Sequence, residues 1–200
     1  MKDLFVNSSF NFINKHQNLD HYNQVKIKYG LEVIYHFFTK LFVVIMLSLL
    51  FNTIKYVIPL FFSFGILRTF GYGIHAKTNK LCWLFTLTLY VFFGIYLKLF
   101  QFIKIIKYII FALSIISVFL WAPSDTKGRP LINKNKRTYL KILCATCVII
   151  EFYIALYSNY YFKDACVISV ALEAILINPF LYKITKTPWK NYRNYNLSNS

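Results

Sequence analysis

The residues of this chain best suited to covalent chemistry are a histidine and a cysteine seven positions apart, His75 and Cys82. A cysteine nucleophile needs thiolate character, and a nearby imidazole can accept the thiol proton or form an ion pair with the thiolate. On one continuous helix this spacing is two turns and puts both side chains on one face, but a loop between them could also bring them together. The sequence favours a loop, because Gly71 and Gly73 allow a tight turn before His75.

A helix is predicted to begin just before the cysteine. Thr78 or Asn79 can cap its N-terminus, so that Cys82 falls in the first turn. There the helix dipole and the neighbouring Lys77 and Lys80 would favour the thiolate. The spacing of the histidine and the cysteine is by itself a weak signal of a catalytic pair, so the surrounding elements are needed to identify the site.

The composition around this segment is that of a membrane protein. The 200 residues are 58% hydrophobic and 20% aromatic, with 23 Lys and Arg against 7 Asp and Glu. Long apolar runs predict membrane spans, and the positive surplus is then explained by cytoplasmic loops that meet anionic lipid. No basic stripe falls on a soluble unit, which argues against a nucleic-acid partner. The first residues lack the continuous apolar core of a signal peptide.

The predicted fold is an all-α polytopic membrane protein with about six transmembrane helices, preceded by an amphipathic helix at the membrane surface. Apolar residues at four-residue steps over 21–40 indicate the surface helix. We predict a single domain over 1–200, and its parts are an N-terminal segment 1–40, a transmembrane bundle 41–182 and a basic tail 183–200. The clearest spans are 81–97, 105–121, 139–158 and 165–182.

The segment 41–67 allows two interpretations. It could be one span, or it could be two short helices, roughly 41–54 and 57–70, separated around Asn52, Lys55 and Pro59. Charge bias favours two helices, because most Lys and Arg residues then lie in the cytoplasm with the His75 loop and both termini. The basic residues left on the outer side are Lys55, Lys98, Lys104, Lys107 and Lys163.

Two further patterns leave alternatives open. Cys144 and Cys147 have a redox or zinc spacing, but they lie in an apolar stretch where buried thiols are favoured. Glu151 and Glu173 lie inside spans, where an ionisable group is a functional candidate and the alternative is an interhelical hydrogen bond. A small transporter or exporter subunit that uses these glutamates is the alternative function, although the chain has no internal repeat.

The segment around the cysteine reads Arg68-x-x-Gly71-x-Gly73-x-His75-Ala76-x-Thr78-x-x-x-Cys82. It resembles the signature of AgrB-type membrane endopeptidases, which act in peptide quorum sensing. Further similarity lies in Tyr29-Gly30-Leu31-Glu32, in Ala122-Pro123-Ser124-Asp125-Thr126 and in Arg129-Pro130 with the basic run that follows. Tyr72 departs from the pattern, because another glycine is expected there.

The resemblance implies a cysteine endopeptidase with His75 and Cys82 as its catalytic pair and with no metal or cofactor. Its substrate would be a small precursor, AgrD in the family, which is cut through a thioester on Cys82. A Cys or Ser side chain of the precursor would then attack the thioester and close a thiolactone or lactone ring. The resemblance implies this AgrD-like precursor and a second copy in a homodimer as partners, and the positive charge surplus adds anionic lipids of the cytoplasmic leaflet.

Four residues could support this pair. Arg68 would contact substrate or an oxyanion, or else anchor its helix at the membrane interface. Asp125 would orient His75, or else cap or turn the loop in which it lies. Lys77 and Lys80 would add positive charge near the thiolate.

Overall fold

The structure, a computed structural model, describes residues 2–16, 20–76, 78–126 and 130–192. These residues form no strand, which confirms the predicted all-α class. They form eight helices: α1 (Lys2–His16), α2 (His21–Leu50), α3 (Ile54–Gly71), α4 (Asn79–Leu99), α5 (Lys104–Trp121), α6 (Lys134–Tyr157), α7 (Tyr160–Leu176) and α8 (Pro179–Ile184).

Helices α1 and α2 form the first of two compact units, residues 1–50. Lys2 Nζ donates to Glu32 Oε1 at 3.1 Å, and this hydrogen bond raises the pKa of the Lys2 ammonium. Helix α2 runs unbroken for 30 residues, so one helix continues through residue 40, where the N-terminal segment was predicted to end. No proline interrupts 21–50, and Gly30 costs a helix interior only about 1 kcal/mol, so the surface segment and the first span form one helix.

The segment 41–67 is divided between two helices, as the charge bias predicted. Helix α2 ends at Leu50 and α3 begins at Ile54. Between them Asn52 has a φ of 53°, a left-handed conformation that asparagine tolerates better than most residues. Pro59, predicted near the break, instead lies inside α3.

The second unit, residues 51–200, contains the remaining helices. Helix α7 is its central element, because it packs against α3, α5 and α6 and residues 164–170 are all buried. The core between these helices is apolar and includes Leu67, Phe111, Val148 and Val170.

Five helices are long and apolar enough to cross a membrane, and at most 33% of the residues in their most apolar windows are buried. The exposed apolar side chains therefore face outward, where lipid would cover them. The five segments are Tyr22–Leu50, Ile54–Gly71, Asn79–Leu99, Lys104–Trp121 and Lys134–Tyr157.

The last predicted span, 165–182, is not one helix. Helix α7 ends at Leu176, and α8 begins at Pro179. The Asn178 side chain caps α8 by accepting the Phe180 N–H at 2.9 Å. An Asn-Pro pair favours the start of a new helix, because asparagine caps and proline suits the first position. This break leaves backbone carbonyls at the end of α7 for contacts outside the helix, and the site described below uses Leu176 O and Ile177 O.

Candidate active site

The loop between α3 and α4 is held on two sides by backbone hydrogen bonds. On one side Gly73 N–H donates to Ser124 O at 2.9 Å, and Ser124 N–H donates to Gly71 O at 3.0 Å. On the other side Ile74 N–H donates to Leu176 O at 3.1 Å. The loop that carries His75 is therefore fixed between the loop after α5 and the end of α7, although it has no regular secondary structure of its own.

Two residues of this loop have left-handed backbone conformations. Gly73 has a φ of 79°, and a Cβ at this position would lie 2.8 Å from Leu176 O. Tyr72 has a φ of 65° and a ψ of −104°, which is unusual for a residue with a side chain. This conformation explains why the resemblance leads one to expect glycine at position 72, and it places backbone strain of about 1–3 kcal/mol beside the site.

A buried charge pair lies beneath the loop. One guanidinium nitrogen of Arg68 donates to Ile74 O, and the other lies 4.0 Å from Glu173 Oε2. The Glu173 side chain is 1% exposed, and it occupies the space that a Cβ on Gly71 would need, 2.1 Å from Glu173 Oε1. Arg68 thus points inward to the loop and to α7, which differs from the interfacial anchor considered from the sequence.

His75 stands at the rim of an open cavity. The cavity has a volume of about 320 Å³ and is lined by Arg68, Thr69, Tyr72 and His75. His75 is exposed, so solvent and a substrate can reach its imidazole. As far as the described residues form it, the wall of this cavity does not include Cys82.

Cys82 occupies the predicted place at the start of α4. Thr78 is the N-cap, and its hydroxyl accepts the Leu81 N–H at 3.3 Å. Cys82 N–H makes the first regular bond of the helix, to Thr78 O at 3.0 Å, and its side chain is half-buried. Lys80 is exposed in the same turn, whereas Lys77 lies outside the described residues.

The loop after α5 is organised by its serine and its aspartate. The Ser124 hydroxyl lies 2.8 Å from Trp121 O and 2.9 Å from Ile177 O, and it can donate to either. The Tyr182 hydroxyl donates to Ser124 O at 3.0 Å. The Ser124 residue therefore contacts Ile177 after α7 and Tyr182 in α8. Its backbone also makes the two bonds to Gly71 and Gly73 described above.

Asp125 is buried, and both of its carboxylate oxygens accept backbone N–H groups. Oδ1 accepts from Asn191 at 2.9 Å, and Oδ2 accepts from Tyr192 at 2.9 Å and from Leu131 at 3.4 Å. These contacts support the loop-organising interpretation of Asp125 over the orientation of His75. They also tie the start of the C-terminal segment to the loop after α5.

The comparisons with known proteins identify the family of this chain. The family model of accessory gene regulator B, AgrB, matches residues 6–177. The chain belongs to the AgrB family. It is 30% identical to an AgrB-like protein of Clostridium acetobutylicum over 92% of this chain and 88% of that protein. It is 28% identical to the accessory gene regulator protein B of Staphylococcus haemolyticus, over 86% and 90%. No solved structure matches the chain.

Membership of the AgrB family gives the chain an accessory gene regulator B role in quorum sensing and makes it a multi-pass membrane protein. The family also implies an AgrD-like precursor as the partner in the same regulatory system. Among the described residues, no group of three His, Cys, Asp or Glu side chains is arranged to hold a metal ion.

The sequence did not reveal the role of Glu173 in the site. Its position inside an apolar helix marked it as a functional candidate, but its partner Arg68 is 105 positions away and no motif links the two. The Ser63 hydroxyl of α3 is close to the carboxyl group of Glu151. The two glutamates therefore differ in their contacts, and Glu173 is the one beside Gly71 and Arg68, at the end of α3 that leads into the His75 loop.

Proposed function

We propose that this AgrB protein is a membrane cysteine endopeptidase that cuts an AgrD-like precursor through a thioester on Cys82. The observation that carries the proposal is the fixed loop between α3 and α4, which presents His75 at an open cavity and leads directly into the capped first turn with Cys82. The wider pattern Arg68–Cys82 matches the family signature by residue type as well as by spacing.

The chain between the two residues is short enough to allow direct contact. The three residue steps from His75 to Thr78 span at most about 11 Å, and Cys82 lies one helical turn, about 6 Å, beyond Thr78. Both side chains can bend toward a common substrate from this separation. His75 is on a loop and Cys82 is on a helix, so the loop can adjust the position of the imidazole on substrate binding without unfolding α4.

In the proposed reaction His75 accepts the proton of the Cys82 thiol, and the thiolate attacks the carbonyl carbon of the scissile peptide bond. The resulting tetrahedral intermediate collapses, the imidazolium donates its proton to the leaving amine, and the C-terminal fragment departs. The acyl group remains on Cys82 as a thioester. A Cys or Ser side chain of the precursor then gives its proton to His75 and attacks this thioester, the ring closes, and Cys82 leaves as a thiolate.

Arg68 is proposed to hold the His75 loop in position and to supply positive charge at the cavity wall. Its bond to Ile74 O fixes the residue next to His75, while Glu173 holds the other side of the guanidinium. The cavity can accept the precursor residues that flank the scissile bond. The basic loops of the same face suit an acidic precursor tail, and salt would weaken that attraction.

We also propose that the site and both termini face the cytoplasm, beside anionic lipid, and that residues 1–200 work as one domain. The homodimer stays a prediction. The orientation is supported by the charge bias, because Lys134, Lys136, Arg137 and Lys141 begin α6, next along the chain after the Ser124 loop that bonds to Gly73. A maleimide that cannot cross membranes should label Cys82 in inside-out vesicles, whereas labelling in intact cells would contradict the orientation.

Co-expression with a candidate precursor tests the proposal. Cyclised product, measured by mass spectrometry, should disappear in Cys82→Ser and His75→Ala and persist in Cys147→Ser, a matched change of a half-buried cysteine on α6. Normal processing by the Cys82 or His75 variant would refute the cysteine-peptidase mechanism. Processing that needs Glu151 but not Cys82 would instead favour the function based on intramembrane glutamates.

A further inference from the structure

A second cavity lies at the end of the helical bundle opposite the His75 loop. It has a volume of about 300 Å³, and its wall combines lysine with aromatic side chains: Lys104, Lys107 and Lys163 with Tyr108, Phe111 and Phe152. Helices α5 and α7 begin at this end and reach the His75 loop at their other end. With 17 and 18 residues, these helices separate the two cavities by about 26 Å.

The charge of this cavity is positive. Asp164 Oδ1 lies 2.6 Å from Lys107 Nζ, so one acidic group offsets one of the three lysines. Asp164 Oδ2 also accepts the Phe102 backbone N–H at 3.3 Å, which holds the segment before α5 against α7. Within the part of the chain that the structure describes, no carboxylate forms an ion pair with Lys104 or Lys163.

Two helix ends add to this potential. Helices α5 and α7 both begin at this end of the bundle, and their first N–H groups point toward it. Neither N-terminus has a side-chain cap that would accept these N–H groups. Helix N-termini carry a partial positive charge and favour phosphate groups. The lysines and the helix ends therefore act in the same direction, toward an anionic ligand.

We infer that this cavity binds an anionic phospholipid, with the headgroup phosphate between Lys104 and Lys163. Lys104 stands at the first residue of a candidate span, the depth at which lipid headgroups lie. The aromatic wall of Tyr108, Phe111 and Phe152 continues from the lysines along the span and suits the first part of an acyl chain. A free phosphate ion would use the lysines but leave this apolar wall uncovered.

Lipid binding can be measured on the full-length protein in a non-ionic detergent by native mass spectrometry. Equimolar phosphatidylglycerol and phosphatidylcholine would be titrated against wild type and the double variant Lys104→Gln/Lys163→Gln. Attraction of a basic residue to an anionic lipid corresponds to about fivefold in affinity, so the double variant should lose roughly 25-fold for phosphatidylglycerol. Binding of phosphatidylcholine should change less than twofold.

The matched control is Lys98→Gln, an exposed lysine at the same end whose ammonium donates to Phe51 O at 3.0 Å. It should keep wild-type affinity for phosphatidylglycerol, and circular dichroism should show that every variant is folded. Lys104→Arg/Lys163→Arg should retain binding, because the charge is kept. Equal affinity of wild type and the Gln double variant would overturn the inference. So would displacement of phosphatidylglycerol by equimolar inorganic phosphate, since that result indicates a soluble-anion site.

Discussion

Replacement of Gly73 by alanine should damage the site without changing either proposed catalytic residue. An L-residue at a φ of 79° costs about 1–2 kcal/mol. The new Cβ would lie 2.3 Å from Arg68 Nη1 and 2.8 Å from Leu176 O. The end of the arginine can move, but Leu176 O belongs to the backbone and accepts the Ile74 N–H. Adding about 1–2 kcal/mol for this overlap gives a total loss of about 2–4 kcal/mol.

Thermal unfolding in detergent and processing in proteoliposomes are the two measurements. The loss of 2–4 kcal/mol corresponds to a fall in midpoint of roughly 5–15 °C for a chain of this size. Processing per folded molecule should fall by about tenfold or more, because Arg68 and the loop shift together and misplace His75. The loss should appear in kcat, since the catalytic residues remain present but are poorly aligned.

Two other glycines provide matched controls. Gly65 lies in α3, where an added Cβ would point into open space. Gly65→Ala should therefore stabilise the protein by about 0.5–1 kcal/mol. Gly94 packs against α3, where a Cβ would lie 2.6 Å from Val57 Cγ2. Gly94→Ala should cost about 1–3 kcal/mol, but it lies about 18 Å along α4 from Cys82. Its processing per folded molecule should match wild type.

A wild-type midpoint and a wild-type processing rate in Gly73→Ala would refute the role of the loop conformation. So would a Gly94→Ala variant that, at a similar loss of stability, loses processing to the same degree. The second result would show that general destabilisation, and not the shape of the loop, accounts for the loss.

Three further substitutions test other parts of the site. Tyr72→Gly should raise stability by about 1 kcal/mol by relieving left-handed strain and should keep processing, which a lower unfolding midpoint would contradict. Asp125→Asn should cost about 1.5–3 kcal/mol through its backbone N–H bonds, with processing per folded molecule retained; a selective loss of kcat would restore its role in orienting His75. Glu173→Gln should lower processing about tenfold by releasing Arg68, and unchanged processing would exclude that positioning role.

The features that sequence predicted well depend on neighbours along the chain. The cap at Thr78 and the first-turn position of Cys82 follow from a few adjacent residues, and both are confirmed. Tyr72 was recognised as a departure from the family pattern, and its φ of 65° gives that departure a physical meaning. The break before α3 was predicted from the charge bias of the loops. This bias depends on how all the Lys and Arg residues are distributed between the two sides of the membrane, so no single residue determines it.

The features that sequence missed depend on contacts between distant segments or on how far a helix continues. The bonds from Asn191 to Asp125 and from Tyr182 to Ser124 join residues more than 50 positions apart, and no local pattern encodes them. The continuity of α2 across residue 40 was missed because a change from polar to apolar composition does not interrupt backbone hydrogen bonding. Helix α7 was predicted too long because the Asn178-Pro179 pair was read as part of a span.

The most direct test of the account is to trap the acyl-enzyme. A precursor whose ring-closing Cys or Ser is replaced by alanine cannot resolve the thioester, so wild-type protein in proteoliposomes should gain the mass of the N-terminal precursor fragment. Digestion should place this adduct on Cys82, hydroxylamine should remove it, and His75→Ala should slow its formation by about a hundredfold or more. An adduct on another cysteine, or cleavage at the normal rate with Cys82→Ala, would contradict the central claim.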